Sequence, residues 1–157
     1  MDKYRPNVAV LITDGLGRVL LCRRVDDESG TAQTVQGGID AGETPLAAAI
    51  REVHEEIGLE PNQFEIIASS ETKYRYVWPL EFQQRLGFTG QEQQFFLFKV
   101  SPDCDFHLDR HHREFSQVEW GTPNQLVDQA WEVKKPGLRG ALTEFGLLPR
   151  DTETTIN

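Results

Sequence analysis

Residues 44–59 constrain this chain more than any other stretch. Thr44 offers a hydroxyl N-cap, and Pro45 follows at the first helical position, where no backbone N–H is needed. Leu46, Ala49, Ile50, Val53 and Ile57 then recur at helical spacing and make one apolar face. Gly58 followed by Leu59 supplies a C-terminal glycine cap with an apolar residue behind it. On this helix Glu52, Glu55 and Glu56 stand at i, i+3 and i+4, on a flank beside the apolar stripe. Like charges at that spacing destabilise an isolated helix by roughly 0.2–0.5 kcal/mol per pair. Spacing alone leaves two readings open. The flank is either a solvated acidic face or a cluster whose repulsion hard divalent cations relieve.

Around the helix the chain reads mostly as strands. Residues 8–13 are rich in β-branched side chains, Asp14-Gly15-Leu16-Gly17 is turn chemistry, and residues 18–24 resume an apolar run, which together predict a hairpin. Residues 25–32 read as a polar loop. Further strands are expected at 64–71, 73–77, 94–100 and 117–120, with short helices at 123–129 and 137–145. Phe95-Phe96-Leu97-Phe98 reads as strand core, and Cys22, inside an apolar run, as core and not as a nucleophile. Strands with helices interspersed predict one layered α/β domain over residues 1–148, followed by a polar, frayed tail at 149–157.

Composition excludes some roles. With 16 Lys and Arg against 25 Asp and Glu, the net charge of −9 argues against a protein that grips long nucleic acids by their phosphates. A local basic pocket or bound cations could still hold one phosphate group. No apolar run approaches the roughly 20 residues of a membrane helix, and no secretory leader is expected. Two cysteines point to a reducing cytoplasm.

From residue 37 to 59 the chain reads GGIDAGETPLAAAIREVHEEIGL, which fits G-x5-E-x7-R-E-U-x-E-E-x-G-U with U aliphatic. A chance match is on the order of 10⁻⁹ per starting position. The stretch resembles the Nudix box of the Nudix hydrolases. That resemblance implies an α/β/α sandwich with a mixed sheet, in which the box forms a loop–helix–loop. It also implies Mg²⁺- or Mn²⁺-dependent hydrolysis of a nucleoside diphosphate linked to a further group. By the same resemblance Glu52, Glu55 and Glu56 are metal ligands, with the Gly37 carbonyl completing the shell. Arg51 and Glu43 orient the carboxylates. The chemistry is independently reasonable, because cations beside dense carboxylates neutralise a pyrophosphate and acidify the attacking water.

Segments outside the box are similar to the bacterial RNA pyrophosphohydrolase and dinucleoside polyphosphate hydrolase branch. They are Tyr4-Arg5-Pro6-Asn7-Val8, Gln36-Gly37-Gly38-Ile39, Arg75-Tyr76 with Pro79, residues 90–96, Glu114-Phe115 and Glu119-Trp120. The branch implies pyrophosphate removal from 5′-triphosphorylated RNA, or cleavage of dinucleoside polyphosphates. It makes Glu114 a fourth metal carboxylate. Arg5, Arg23, Lys73, Arg75 and Lys134 are the candidate phosphate contacts, since Arg forks and Lys point charges suit phosphate oxygens. Tyr76 is a candidate base-stacking residue or, equally, strand core. Two departures stand out. The Trp and Pro that precede the box in the branch are absent from Ala32-Gln33-Thr34-Val35, and Val133 stands where an aromatic usually precedes the basic pair Lys134-Lys135. If that aromatic stacks on the base, base recognition is weakened or relocated here.

His107, His111 and His112 lie close in sequence without the cysteines or further histidine of a zinc set. They read as a polar loop bordering the site, and His112 or Glu114 could accept a proton. Two other readings remain: a Nudix hydrolase of another nucleoside diphosphate derivative such as a nucleotide sugar, and a nucleotide-sensing module without catalysis.

Overall fold

The computed structural model describes residues 2–150. In chain order they form β1 (Tyr4–Thr13), β2 (Val19–Arg24), β3 (Val35–Gly38), α1 (Pro45–Ile57), β4 (Glu65–Val77), α2 (Leu80–Leu86), β5 (Gly90–Lys99), β6 (Phe115–Gly121), α3 (Pro123–Gln129) and α4 (Lys135–Glu144). One mixed sheet runs β4-β5-β1-β2-β6, with β3 also paired to β1. The β1–β5 pair is parallel and the others are antiparallel.

Alternation along β1 builds both layers of the core. Val8, Val10 and Ile12 face α1, joined by Ala49, Val53 and Ile57 from the helix and by Phe96 and Phe98 from β5. Ala9 and Leu11 face the opposite side, against Leu126 of α3 and Leu138, Ala141 and Leu142 of α4. A sheet buried on both faces needs continuous apolar runs, which β1 and the Phe95–Phe98 stretch provide. The result is the expected α/β/α sandwich.

The β1–β2 hairpin is splayed. Its strands pair only where they leave the turn, at Thr13 and Val19, while residues 7–10 of β1 pair with β3 instead. Helix α1 starts and stops as its sequence requires. The Thr44 hydroxyl accepts from Ala47 N–H at 3.1 Å, and Gly58 adopts φ 73°, a left-handed conformation that glycine takes without a Cβ penalty.

Some boundaries differ from expectation. The two strands expected at 64–71 and 73–77 are one strand, β4, bulged between Ser69 and Lys73. Inside the bulge the Ser70 hydroxyl accepts from Phe95 N–H, so the chain stays attached without regular pairing. Strand β5 begins at Gly90, earlier than expected, and α2 has no counterpart in the sequence reading. The C-terminal helix starts at Lys135. Of the tail expected at 149–157, residues 151–157 lie outside the described residues.

Candidate active site

The acidic flank of α1 faces the interior. Glu52 and Glu56 are buried at 8% and 7% exposure, and Glu55 is half-buried. With Glu114, His111 and His112 they line a cleft of about 290 Å³. Glu114 is placed there by the chain entering β6, where its carbonyl accepts from Val25 N–H at 2.9 Å. An oxygen of Glu56 accepts from Gln36 N–H at 3.1 Å.

Arg51 organises the other carboxylates. It donates to both oxygens of Glu43 at 2.8 and 2.9 Å, to Glu52 at 2.6 Å and to the Gly38 carbonyl at 2.9 Å, and it approaches Glu55 at 3.4 Å. The guanidinium and the Asp40 N–H hold the Glu43 carboxyl down at about 2. Among the described residues no cation forms an ion pair with Glu56. Burial first, and the neighbouring Glu52 charge second, push it up to about 9, while Glu52 is raised by burial against the pull of Arg51. Gly37 is glycine for space. Its φ is not positive, but a Cβ there would fall within 3.0 Å of the Glu52 carboxylate.

Among the described residues no three His, Cys, Asp or Glu side chains are already drawn into a metal-sized shell. Arg51 occupies Glu52 and reaches Glu55, so ligation by those two would have to compete with it. The donor set nonetheless suits a hard divalent cation. It consists of carboxylate oxygens, and the anionic form of buried Glu56 lacks only a positive charge beside it.

A second cavity, of about 710 Å³, adjoins the cleft. Its walls carry the aromatic rings of Tyr76, Trp78, Phe82 and Trp131 and the cations Arg5, Arg24, Arg85 and Lys134, with Asp26 and Asp27 on the Arg24 side, where Asp26 takes the Arg24 guanidinium at 2.9 and 3.0 Å. The Trp131 ring lies edge-on to Tyr76 with centroids 6.4 Å apart, and 5.8 Å from Phe82. Gln91, also in the wall, donates to the Tyr76 hydroxyl at 2.5 Å, but its buried amide oxygen has no partner. An orphaned acceptor of this kind calls for a donor from elsewhere.

Two residues join cleft and cavity. The Gln36 backbone N–H holds Glu56 while its side-chain oxygen accepts from the Lys134 ammonium at 2.9 Å. Arg24 lines the cavity and lies 3.5 Å from Glu114 in the cleft.

The structure thus brings Gly37, Glu43, Arg51, Glu52, Glu55, Glu56 and Glu114 together, and sets Arg5, Tyr76 and Lys134 in the adjoining cavity. Three candidates lie elsewhere. Arg23 is spent on the Gly30 carbonyl, Glu119 and Gln129. Lys73 and Arg75 alternate with Tyr74 and Tyr76 along β4 and so project from the other face, Arg75 onto Glu92 at 2.8 Å. Arg24 and Trp131 went unnoticed in the sequence. Counting by twos from the buried Cys22 would have selected Arg24 over Arg23. Trp131 stands two residues before Val133 and returns an aromatic ring to the cavity. His111 borders the cleft while bonding His54 at 3.2 Å.

A helix-borne carboxylate cluster on an α/β/α sandwich, opening onto an aromatic and basic cavity, defines an anion-handling hydrolase type of site. The chain belongs to the Nudix family, whose domain model matches residues 3–140. It is 39% identical over 148 residues to an RNA pyrophosphohydrolase of Novosphingobium aromaticivorans, covering 90% of this chain and 92% of that protein. It is 36% identical over 146 residues to an RNA pyrophosphohydrolase of Roseobacter denitrificans, covering 90% and 91%. The fold matches that of the E. coli dihydroneopterin triphosphate pyrophosphohydrolase with a TM-score of 0.73 at 22% identity, over 92% of this chain and 97% of that one. Nudix hydrolases generally use divalent metals.

Proposed function

We propose that this protein removes pyrophosphate from 5′-triphosphorylated RNA. The observation that carries the reading is the junction at Gln36, whose backbone N–H holds Glu56 of the carboxylate cleft while its side chain takes Lys134 in the wall of the aromatic cavity. Glu52, Glu55, Glu56 and Glu114, with the Gly37 carbonyl, would hold Mg²⁺ or Mn²⁺. Such a cation, when bound, neutralises phosphate oxygens and acidifies a water. Arg51 and Glu43 keep Glu52 and Glu55 oriented. Lys134 and Arg5 hold phosphate oxygens, and Trp131 with Tyr76 receives the first bases. Water oxygen forms the new bond to phosphorus as the α–β anhydride breaks. Its proton passes to the Glu52–Glu56 carboxylate pair, leaving RNA 5′-monophosphate and free pyrophosphate.

Dinucleoside polyphosphates are the second reading, favoured by a cavity with more aromatic wall than one base needs. We place the enzyme in the cytoplasm, in keeping with two free cysteines, one in the core. No described helix is long and apolar enough to cross a membrane. The test is a panel of triphosphorylated RNA, diadenosine tetraphosphate and nucleotide sugars with Mg²⁺ or Mn²⁺. Pyrophosphate release from the RNA is expected to dominate. Preferred cleavage of a nucleotide sugar, or no cleavage of any of them, would overturn the reading.

Lys134 carries its own pH signature. Burial first, then the Arg24 charge, pull its ammonium down to about 8. It is charged below that value and neutral above it, so kcat/KM for a triphosphate should fall severalfold between about pH 7 and 9. The unfolded lysine stays protonated to about 10.4. The folded state therefore binds fewer protons, and stability is lost as pH falls through 8. Lys134→Arg, charged throughout, should flatten the kcat/KM decline. A variant that declines in parallel with the parent would remove Lys134 from substrate binding.

A further inference from the structure

Two cation–aromatic pairs stand at the end of the sheet beside the aromatic cavity. Lys3 Nζ lies 5.5 Å from the Phe88 ring centre and Arg85 Cζ 4.7 Å from Phe82. A third, Lys134 over Tyr76, lies within the cavity. The pairs are contiguous. Arg85 and Phe82 belong to the cavity wall, and Phe88 follows α2 directly. The Lys3 carbonyl accepts from Thr89 N–H at 2.7 Å, and Tyr4 pairs with Gly90, whose other neighbour is Val77 of β4.

These cations are also unspent. Among the described residues neither Lys3 nor Arg85 has a carboxylate partner, whereas Arg18, Arg23, Arg24 and Arg51 all do. In a chain of net charge −9, free cations interleaved with aromatic rings at one rim match a ligand that is anionic and carries flat bases.

We propose that this rim, formed by Lys3, Arg85 and Phe88, binds the single-stranded RNA downstream of the nucleotides held in the cavity. The rim rests on the pyrophosphohydrolase reading and deepens it, because a dinucleoside polyphosphate has no strand to lay there. Phosphates run along Lys3 and Arg85, and bases stack on the rings those cations flank.

The test compares triphosphorylated oligoribonucleotides of two and eight nucleotides that share a 5′ sequence. The longer one should show a kcat/KM about tenfold higher at low salt, the scale of one stacked base. Its slope of log kcat/KM against log salt should be steeper by about 0.7 per rim phosphate contact. Lys3→Glu with Phe88→Ala should abolish the length gain and leave the two-nucleotide substrate within about twofold, which also reports folding. Equal rates for both lengths, or a gain that survives the double substitution, would overturn the rim. A separate arm measures Kd for a 5′-monophosphorylated octamer by fluorescence anisotropy, without catalysis. Binding about tenfold weaker in the double variant supports the rim even if neither triphosphate is cleaved, in which case only the enzymatic reading fails. Unchanged binding, or an abasic octamer bound equally well, overturns it.

Discussion

Glu56→Gln should leave a folded protein whose turnover on triphosphorylated RNA falls about a hundredfold or more. The glutamine oxygen can still accept from Gln36 N–H, so the link between β3 and α1 survives. What disappears is the negative charge. Among the described residues no side-chain cation pairs with buried Glu56, so its anionic form has the most to gain from a divalent ion. Without metal, burial holds the Glu56 carboxyl up at about 9, so at neutral pH glutamine replaces a group that is already uncharged, and the metal-free variant should melt no lower than the parent. Adding Mg²⁺ should raise the parent's Tm by ordinary linkage and the variant's much less. Rates and metal response like the parent's would sink the assignment of this cleft as the metal centre.

Gly37→Ala should lower turnover by about 10- to 100-fold, with little change in stability. Because Gly37 has no positive φ, alanine fits its backbone. The new methyl would instead collide with the Glu52 carboxylate, which lies inside 3.0 Å of the Cβ position. Glu52 would have to swing away, breaking its 2.6 Å bond to Arg51. The damage is thus to the placement of a ligand and not to the fold, and it should appear as a raised Mg²⁺ requirement in kinetic titrations. Unchanged turnover and Mg²⁺ dependence would show that Glu52 need not stand where it does.

The two variants also mark where local reading succeeded. Helix α1, its caps and its acidic flank were legible because each depends on residues no more than four apart. Strand β4 was harder. Its bulge at Ser69–Lys73 looks like a break in the alternation, and only pairing with β5 holds the two parts in one strand. Helix α2 was missed because its seven residues show no sustained helical period. Leu80 points largely to solvent while Phe82 reaches the cavity. Arg23 and Arg24 are neighbours of the same type, yet one is tied up in packing and the other joins cleft to cavity. The contacts that take up Arg23, Glu119 and Gln129, come from far along the chain, whereas Arg24 is held by Asp26 two residues on and reaches Glu114 at 3.5 Å.

By itself the amino-acid order determined a capped amphipathic helix with three carboxylates on one flank, since helical geometry places i, i+3 and i+4 together wherever the helix sits. Tertiary structure alone decided that the flank faces inward, that Gln36 bridges Glu56 to a lysine 98 residues away, and that Trp131 meets Tyr76 in the cavity wall. Those outcomes depend on β3 inserting beside β1 and on α4 closing the opposite face of the sheet. Such long-range pairings have free energies that no short stretch of sequence contains.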